Sequence, residues 1–270
     1  MITFPNAKIN IGLNITEKRP DGYHNLETIF YPVELCDTLE FVRGEETKFT
    51  CSGLNIEGES DNNLIMKAYR LLKEEFNLPA INIHLHKAIP MGAGLGGGSA
   101  DAAFMLKMLN EEFELGLSAQ ELEKRAAKLG ADCAFFVENR PILGKGIGNI
   151  FEPTTINLAG YHIVLIKPEV HVSTAEAYGG CKPQRWDTPL EEAVKRPIEE
   201  WKDCIFNDFE KTVFIAHPEL ADIKKMLYDK GAIYAAMSGS GSTIYGIFDK
   251  EVEHNITTDI KSAIHYLTLK

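Results

Sequence analysis

Five glycines crowd seven residues in the first half of the chain, a composition typical of a phosphate-binding loop. The surrounding stretch is Pro90, Met91, Gly92, Ala93, Gly94, Leu95, Gly96, Gly97, Gly98, Ser99 and Ala100. Glycine reaches positive φ without strain and lets a ligand approach the backbone closely. A helix that begins after such a loop points its first N–H groups towards an anion. We therefore predict that this loop binds phosphate.

Several known loops compete for this stretch. Gly92, Gly94 and Gly97 satisfy G-x-G-x-x-G, but a dinucleotide fold wants an acidic residue ending a second strand about 20 residues on, which here falls within or at the end of a helix. A Walker loop needs a lysine, and none is present. A protein-kinase glycine loop joins two strands, and the chain has no His-Arg-Asp or Asp-Phe-Gly. An NAD-dependent oxidoreductase and a non-catalytic nucleotide-binding module remain as alternatives.

Polar residues with catalytic potential lie on both sides of this loop. Lys8 and Asn10 share one face of a strongly alternating stretch, opposite four aliphatic residues. Asp132 follows Gly130 and precedes Ala134, Phe135 and Phe136, apolar surroundings that would tune a carboxylate. Each also has an ordinary structural explanation, a solvated strand face for the first pair and a helix N-cap for Asp132.

An aromatic pair follows a strong turn signal near the N-terminus. Arg19-Pro20-Asp21-Gly22 is typical of a tight turn, and Tyr23 and His24 come directly after it. Exposed aromatics at such a place can stack on a base, or they can anchor the next strand.

The elements that must position these residues follow from hydrophobic periodicity. Alternation over residues 81–86 predicts a strand that enters the loop, with Ile81, Ile83 and Leu85 on its buried face. A helix is predicted from Ser99, with a stripe at Ala103, Leu106, Met108, Leu109 and Phe113. Other helices are predicted after Asp61-Asn62-Asn63, after the capping box Ser118–Glu121 as far as Gly130, and from Pro218 to Gly231.

Composition bounds the class of protein. The 270 residues carry a net charge of −11, which argues against a broad nucleic-acid surface. Five scattered cysteines without C-x-x-C spacing are typical of reduced thiols rather than of a disulfide framework or a zinc site. No basic-then-apolar leader and no membrane-length apolar run is present, so we expect a cytoplasmic protein without a membrane partner. Oligomeric state is left open.

Four short motifs in a fixed order resemble the GHMP kinases, which include galactokinase, homoserine kinase and mevalonate kinase. They are Lys8-Ile9-Asn10, Pro90–Ser99, Gly130-Ala131-Asp132 and Ser238-Gly239-Ser240-Gly241-Ser242. The run from Lys18 to Thr28 is similar to the signature of the superfamily members that phosphorylate 4-diphosphocytidyl-2-C-methyl-D-erythritol in the non-mevalonate isoprenoid pathway. Another GHMP small-molecule kinase is the nearest alternative.

The resemblance implies a two-domain α+β fold with the active site between the domains. An N-terminal domain over residues 1–155 would be like that of ribosomal protein S5, and a C-terminal domain over 156–270 would be ferredoxin-like. ATP would be the co-substrate, with its phosphates on Pro90–Ala100, and Mg²⁺ is expected without assigned protein ligands. The γ-phosphoryl group would pass to the C2 hydroxyl of a cytidine diphosphate sugar-alcohol.

The same resemblance implies roles for individual residues. Asp132 would accept the hydroxyl proton, and Lys8 would keep that carboxylate ionised. Asn10 would position the substrate, and the cytosine ring would lie against Tyr23, His24 and Tyr178. Ala100, Cys133-Ala134 and Asn149 depart from the usual residues of the family.

Overall fold

A computed structural model describes residues 1–56 and 62–270. The strands are β1 (Ile2–Thr3), β2 (Asn6–Lys18), β3 (His24–Cys36), β4 (Thr38–Arg43), β5 (Lys48–Gly53), β6 (Ile81–Lys87), β7 (Ile142–Lys145), β8 (Ile150–Pro153), β9 (His162–Pro168), β10 (Tyr234–Met237), β11 (Ile244–Phe248) and β12 (Ser262–Thr268). The helices are α1 (Leu64–Phe76), α2 (Gly97–Glu112), α3 (Ala119–Leu129), α4 (Phe135–Glu138), α5 (Thr174–Gly179), α6 (Leu190–Ala193), α7 (Trp201–Cys204), α8 (Glu210–Ala216) and α9 (Pro218–Asp229). Strands and helices follow one another mostly in runs of the same type, such as the five strands that open the chain and the helices between β9 and β10.

The chain forms two compact units, each built from separate segments. The first comprises residues 1–7, 35–91 and 96–140, and the second comprises 8–34, 92–95 and 141–270. The predicted division between residues 155 and 156 lies inside the second unit, and as a boundary between family domains it stays a prediction. The Pro90–Ala100 loop contributes to both units, because its middle belongs to the second and its two ends to the first.

The first unit packs helices α1 to α4 together with a four-stranded sheet of order β1-β4-β6-β5. Strand β5 runs parallel to β6, whereas β1 and β6 are antiparallel to β4. Strand β6 shows the predicted alternation, because Ile81, Ile83 and Leu85 are buried while Asn82 and His86 are exposed. This strand leads into the glycine loop, and α2 leaves it.

The caps that sequence reasoning placed on two of these helices are confirmed. Asn63 is the N-cap of α1 and accepts the N–H of Ile65 at 2.9 Å, which satisfies a donor of the first turn. Asp61, placed in the same cap, lies outside the described residues. Ser118 and Glu121 form the expected capping box of α3.

The second unit holds two four-stranded sheets. One has the order β10-β11-β9-β12 and is antiparallel throughout. Helix α9 packs against β10 and β11, and Leu220, Ile223 and Leu227 join the core of the unit. The other sheet has the order β2-β3-β7-β8, in which β7 and β8 form a hairpin.

Strand β2 is buried on both faces, not on one. The aliphatic face was expected to be covered, but Lys8, Asn10 and Asn14 are each only 3% exposed as well. Their partners come from distant parts of the chain. Asn14, for example, donates to the carboxylate of Asp208 at 2.8 Å. Alternation of apolar and polar residues predicts which side chains share a face of a strand, but it does not predict what covers that face.

Candidate active site

The glycine loop adopts a backbone that only glycine reaches easily, and it opens a helix. Gly92, Gly94 and Gly96 have φ of 58°, 75° and 71°, in the left-handed region that penalises a Cβ. Gly96 is the N-cap of α2 and has no side chain with which to bond the first N–H groups of the helix. Those donors and the helix dipole make this end of α2 suited to an anion such as phosphate.

Gly94 packs directly against the backbone of Ser238 in the second unit. A Cβ added there would overlap the carbonyl oxygen of Ser238. The Gly94 carbonyl accepts two hydrogen bonds, from Lys8 Nζ at 2.9 Å and from Ser238 Oγ at 2.8 Å. The loop is therefore fixed in its middle by a side chain of β2 and by the first serine of the Ser-Gly-Ser-Gly-Ser motif.

Lys8 is a buried ammonium whose donors are directed at named oxygens. Besides Gly94, its Nζ bonds Asn10 Oδ1 at 2.6 Å, as expected for residues two apart on one strand face. Asn10 in turn donates to Thr28 Oγ1 at 3.0 Å, and its backbone N–H bonds Ser238 Oγ. Burial of a charge is tolerated only when such bonds are made, so this network holds the Lys8 side chain in one place.

The aromatic candidates for base binding also belong to the second unit. The rings of His24 and Tyr178 stack with centroids 4.9 Å apart and planes at 23°, and Tyr178 meets Phe209 edge-on. A flat base between two rings needs a separation of roughly 7 Å, twice the usual ring contact, so no base fits between His24 and Tyr178 as they stand. Tyr23 is 63% exposed and its ring is open for stacking.

Tyr23 is held in place through its backbone. Asp21 Oδ1 accepts the Tyr23 N–H at 3.1 Å while Arg19 pairs with the same carboxylate. Partial burial, and then the nearby charge of Lys18, lower the pKa of His24 below its ordinary value of 6.5. A neutral imidazole at pH 7 has one donor and one acceptor nitrogen, which suits hydrogen bonding to a base edge.

Asp132 lies in the first unit, in the turn that joins α3 to α4. Gly130 ends α3 as expected, and the N-cap of α4 is Ala134, so Asp132 does not serve as that cap. The neighbouring Cys133 thiol is hydrogen-bonded to Ser99 of the glycine loop, and its burial raises its pKa to about 11. The turn that carries Asp132 is thereby attached to the start of α2.

Sequence reasoning missed a buried ionic cluster beside the loop. Lys87, Asp37 and Asp101 contact one another in the first unit. A signal for Lys87 was present, because the alternation of Ile81, Ile83 and Leu85 continues to it and places it on the buried face. Asp37 lies 50 residues before Lys87, and no local sequence pattern predicts that the two side chains meet.

Neither a metal cluster nor a membrane helix is found in the part of the chain that the structure describes. Within residues 1–56 and 62–270, no three His, Cys, Asp or Glu side chains gather closely enough to hold an ion. Over the same residues, no helix has both the length and the hydropathy needed to cross a bilayer.

Comparison with known proteins now separates the alternatives. The family model of the GHMP kinases N terminal domain matches residues 63–140, and that of the GHMP kinases C terminal domain matches 190–264. A protein from Bacteroides fragilis named 4-diphosphocytidyl-2-C-methyl-D-erythritol kinase is 58% identical over 272 residues, covering 99% of each chain. The chain belongs to this family of GHMP kinases.

Solved structures agree with that membership. A crystal structure of 4-(cytidine 5'-diphospho)-2C-methyl-D-erythritol kinase is 31% identical to this kinase, covers 92% of it and 90% of its own chain, and has a TM-score of 0.79. Mevalonate kinase from Methanococcus jannaschii shares the fold at a TM-score of 0.72 with 15% identity, covering 100% of this kinase and 98% of its own chain. The predicted two-domain α+β fold is confirmed.

Proposed function

We propose that this kinase transfers the γ-phosphoryl group of ATP to the C2 hydroxyl of 4-diphosphocytidyl-2-C-methyl-D-erythritol, in the supply of isoprenoid precursors. The observation that carries the proposal is 58% identity over 99% of the chain to a relative named for this substrate. Tyr23 and His24, which follow the Arg19–Asp21 turn, supply a base site that mevalonate, homoserine or galactose would not need.

Asp132 takes the proton of the C2 hydroxyl, and the oxygen then attacks the γ-phosphorus. The bond between that phosphorus and the β–γ bridging oxygen breaks, and ADP leaves with the bridging oxygen. Lys8 provides positive charge that keeps the Asp132 carboxylate ionised and helps to stabilise the alkoxide. Phosphoryl transfer depends chiefly on positioning and charge stabilisation, which is what these residues provide.

The residues from Pro90 to Ala100 receive the ATP phosphates. The positive φ of Gly92, Gly94 and Gly96 and the helix start at Gly97 support this role. When bound with ATP, Mg²⁺ would neutralise part of the phosphate charge. No protein ligand is assigned to this ion, since Mg²⁺ at such sites needs only one or two carboxylates from the protein.

The cytosine ring stacks on the open face of Tyr23, with His24 bonding its edge and Tyr178 supporting His24 from behind. Asn10 bonds the sugar-alcohol part of the substrate, and its hydrogen bonds with Lys8 and Thr28, which hold its side chain, support this role. The two GHMP domains divide between residues 155 and 156, a cut that falls between the two family matches. The enzyme works in the cytoplasm, and a reducing compartment is supported by four cysteines that form no disulfide, Cys51, Cys133, Cys181 and Cys204.

The test is ADP release with ATP and Mg²⁺ in the presence of 4-diphosphocytidyl-2-C-methyl-D-erythritol, mevalonate, homoserine or galactose. Turnover with the cytidyl substrate alone is expected. Turnover with another of these alcohols would contradict the base site at Tyr23 and His24. A protein that binds ATP and turns over none of the four would be a nucleotide-binding module instead.

A further inference from the structure

A buried cluster of three ionisable residues lies in the first unit, next to the two ends of the glycine loop. The Lys87 ammonium donates to Asp37 and, at 2.9 Å, to Asp101 Oδ2. The three side chains are 2%, 0% and 4% exposed. They come from the end of β6, from the junction of β3 and β4, and from the second turn of α2.

The cluster holds the backbone on the entering side of the loop. Asp37 Oδ1 accepts the N–H groups of Ala88 at 2.6 Å and Ile89 at 2.8 Å, the two residues that connect β6 to Pro90. The carbonyl oxygen of Lys87 itself accepts the N–H of Leu54 at 2.8 Å. The direction in which the chain leaves β6 is therefore set by charge-assisted hydrogen bonds.

The cluster also contacts the start of α2, where the glycine loop ends. A Cβ added to Gly97, the first residue of α2, would lie 2.9 Å from Lys87 Nζ and 2.9 Å from Ile89 Cγ2. Asp101, one turn later, ties the helix to the same ammonium. Both ends of Pro90–Ala100 thus converge on Lys87.

This arrangement is a poor source of stability. Burial raises the pKa of Asp101 to about 7 against the opposing effect of Lys87, and Asp101 Oδ1 has no hydrogen-bond partner among the described residues. Well-packed apolar residues often stabilise a core as well as a buried ionic group of this size. What an ionic group supplies, and an apolar group does not, is a set of directed bonds.

We propose that Lys87, Asp37 and Asp101 are positioning residues for ATP, which fix the two ends of Pro90–Ala100 in the conformation that receives the phosphates. The proposal rests on the proposed function, in which that loop binds ATP. None of the three residues is assigned contact with a reactant; they act through the backbone of Ala88, Ile89 and the start of α2.

The test compares Asp101→Ala with Asp101→Asn by steady-state kinetics and by direct titration with ATP. Asp101→Ala leaves Lys87 paired with Asp37 alone and releases α2. We expect the Kd and KM for ATP to rise about 10- to 100-fold, the range for a lost hydrogen bond to a charged group. The kcat at saturating ATP and the KM for the cytidyl substrate stay within about threefold of wild type. Asp101→Asn keeps an acceptor for Lys87, so it restores ATP affinity.

Leu106→Ala is the matched control for simple destabilisation. Leu106 is fully buried in the same helix and its side chain has no hydrogen-bonding group, so its truncation leaves a cavity without removing a bond of the cluster. A smaller folded fraction lowers kcat per mole of total protein and leaves the KM for ATP unchanged. If Asp101→Ala behaves in this way as well, with a lower melting temperature and unchanged ATP affinity, the cluster is only structural and the proposal is overturned.

A second variant covers the case in which Asp101→Ala does not fold. Asp37 accepts bonds on both oxygens, from Lys87 on one and from two N–H groups on the other. Because an amide has one acceptor oxygen, Asp37→Asn must set an NH₂ group against one of those donors. We expect the same rise in the Kd for ATP, and an unchanged Kd would overturn the proposal. Wild-type protein without ATP affinity would overturn the proposed function itself, which keeps the two failures distinct.

Discussion

At the scale of single residues, the buried polar groups of β2 explain why a lysine can stand in a strand interior. Lys8 is 3% exposed, yet its ammonium bonds Asn10 and the Gly94 carbonyl and lies 5.6 Å from the centroid of the Phe30 ring. A side chain this constrained has little freedom left to lose in the catalytic role proposed for it. Preorganised charge is the form in which electrostatic stabilisation of a transition state is most effective.

Replacement of the proposed base should separate chemistry from binding. We expect Asp132→Asn to lower kcat by about 10²- to 10⁴-fold, the range for loss of general-base catalysis, while ATP still binds. Steady-state kinetics and ATP titration measure the two effects. Glu138→Gln is the control, since that exposed carboxylate in the same unit pairs only with Arg140 at the surface in the described contacts. Unchanged turnover in Asp132→Asn would refute its role.

Loss of the exposed aromatic ring should affect one substrate only. Tyr23→Ala is expected to raise the KM for the cytidyl substrate, since stacking on an aromatic ring is worth about 1–3 kcal/mol per base. The KM for ATP should remain near that of wild type. Tyr23→Phe keeps the ring and should keep the affinity. Equal losses for both ligands in Tyr23→Ala would place the base elsewhere.

Residue types and spacing were informative where the partner is close in sequence. The shared face of Lys8 and Asn10 follows from the period of a strand, and the two side chains do bond. The partners of Lys87 could not be found in this way. Asp37 lies 50 residues before it and Asp101 lies 14 residues after it, and only the folded chain brings them together.

At the scale of elements, the segment from β6 through the glycine loop to α2 combines a fixed backbone conformation with close packing against the backbone of Ser238. Two separate features require glycine at position 94. Its φ is 75°, and the carbonyl oxygen of Ser238 occupies the place that a Cβ would take. Gly98 differs, because it lies in α2 and the nearest atom to its added Cβ is Leu64 Cδ1 at 4.0 Å. Two glycines four residues apart thus have different reasons to be present.

This contrast predicts opposite effects on folding. Gly94→Ala should lower the free energy of unfolding by more than about 1–2 kcal/mol, the cost of a left-handed residue with a Cβ, because the Ser238 overlap adds to it. Gly98→Ala should raise it by roughly 0.5–1 kcal/mol, as alanine in a helix does relative to glycine. Urea unfolding of both variants measures the difference. A destabilised Gly98→Ala would show that the start of α2 is more crowded than the structure indicates.

Strands and helices were predicted well where hydrophobic periodicity or a helix cap was clear in the local sequence. The β6 strand and the α3 capping box follow from local sequence alone. The cover of β2 did not, because its polar face is closed by Ser238 and Asp208, each about 200 residues away. Alternation predicts faces, whereas burial of both faces depends on tertiary contacts.

At the scale of the whole molecule, stability should depend on pH through the ionic cluster. Desolvation raises the pKa of Asp101 from 3.8 to about 7, with Lys87 opposing that rise and Asp37 adding to it. The Cys51 thiol of β5 is also near and has a raised pKa, chiefly through burial, so it is neutral in this range. Since the native state binds more protons than the unfolded chain between these two values, the free energy of unfolding falls as pH rises through this window.

Asp101→Asn removes that dependence. The free energy of unfolding of the variant minus that of wild type should grow from pH 5 to pH 7, by at most about 1.4 kcal/mol per pH unit, and level off above pH 7. Urea unfolding at each pH gives the difference. Asp21→Asn is a suitable control, because its hydrogen bond from Arg19 lowers the pKa of Asp21 and gives the opposite sign. A constant difference for Asp101→Asn would contradict the raised pKa.

The interrupted course of the chain through its two units sets an order of events on the ribosome. The first unit has all its segments once Arg140 has left the exit tunnel, whereas the second needs residues 8–34 together with 141–270. At about 5–20 residues per second, translation of the rest takes on the order of 10 s. Until that part of the chain has been made, the backbone N–H of Asn10 and the side-chain amide of Asn14 lack their hydrogen-bond acceptors, Ser238 and Asp208. The polar face of β2 therefore stays incompletely bonded until the last third of the chain has been made.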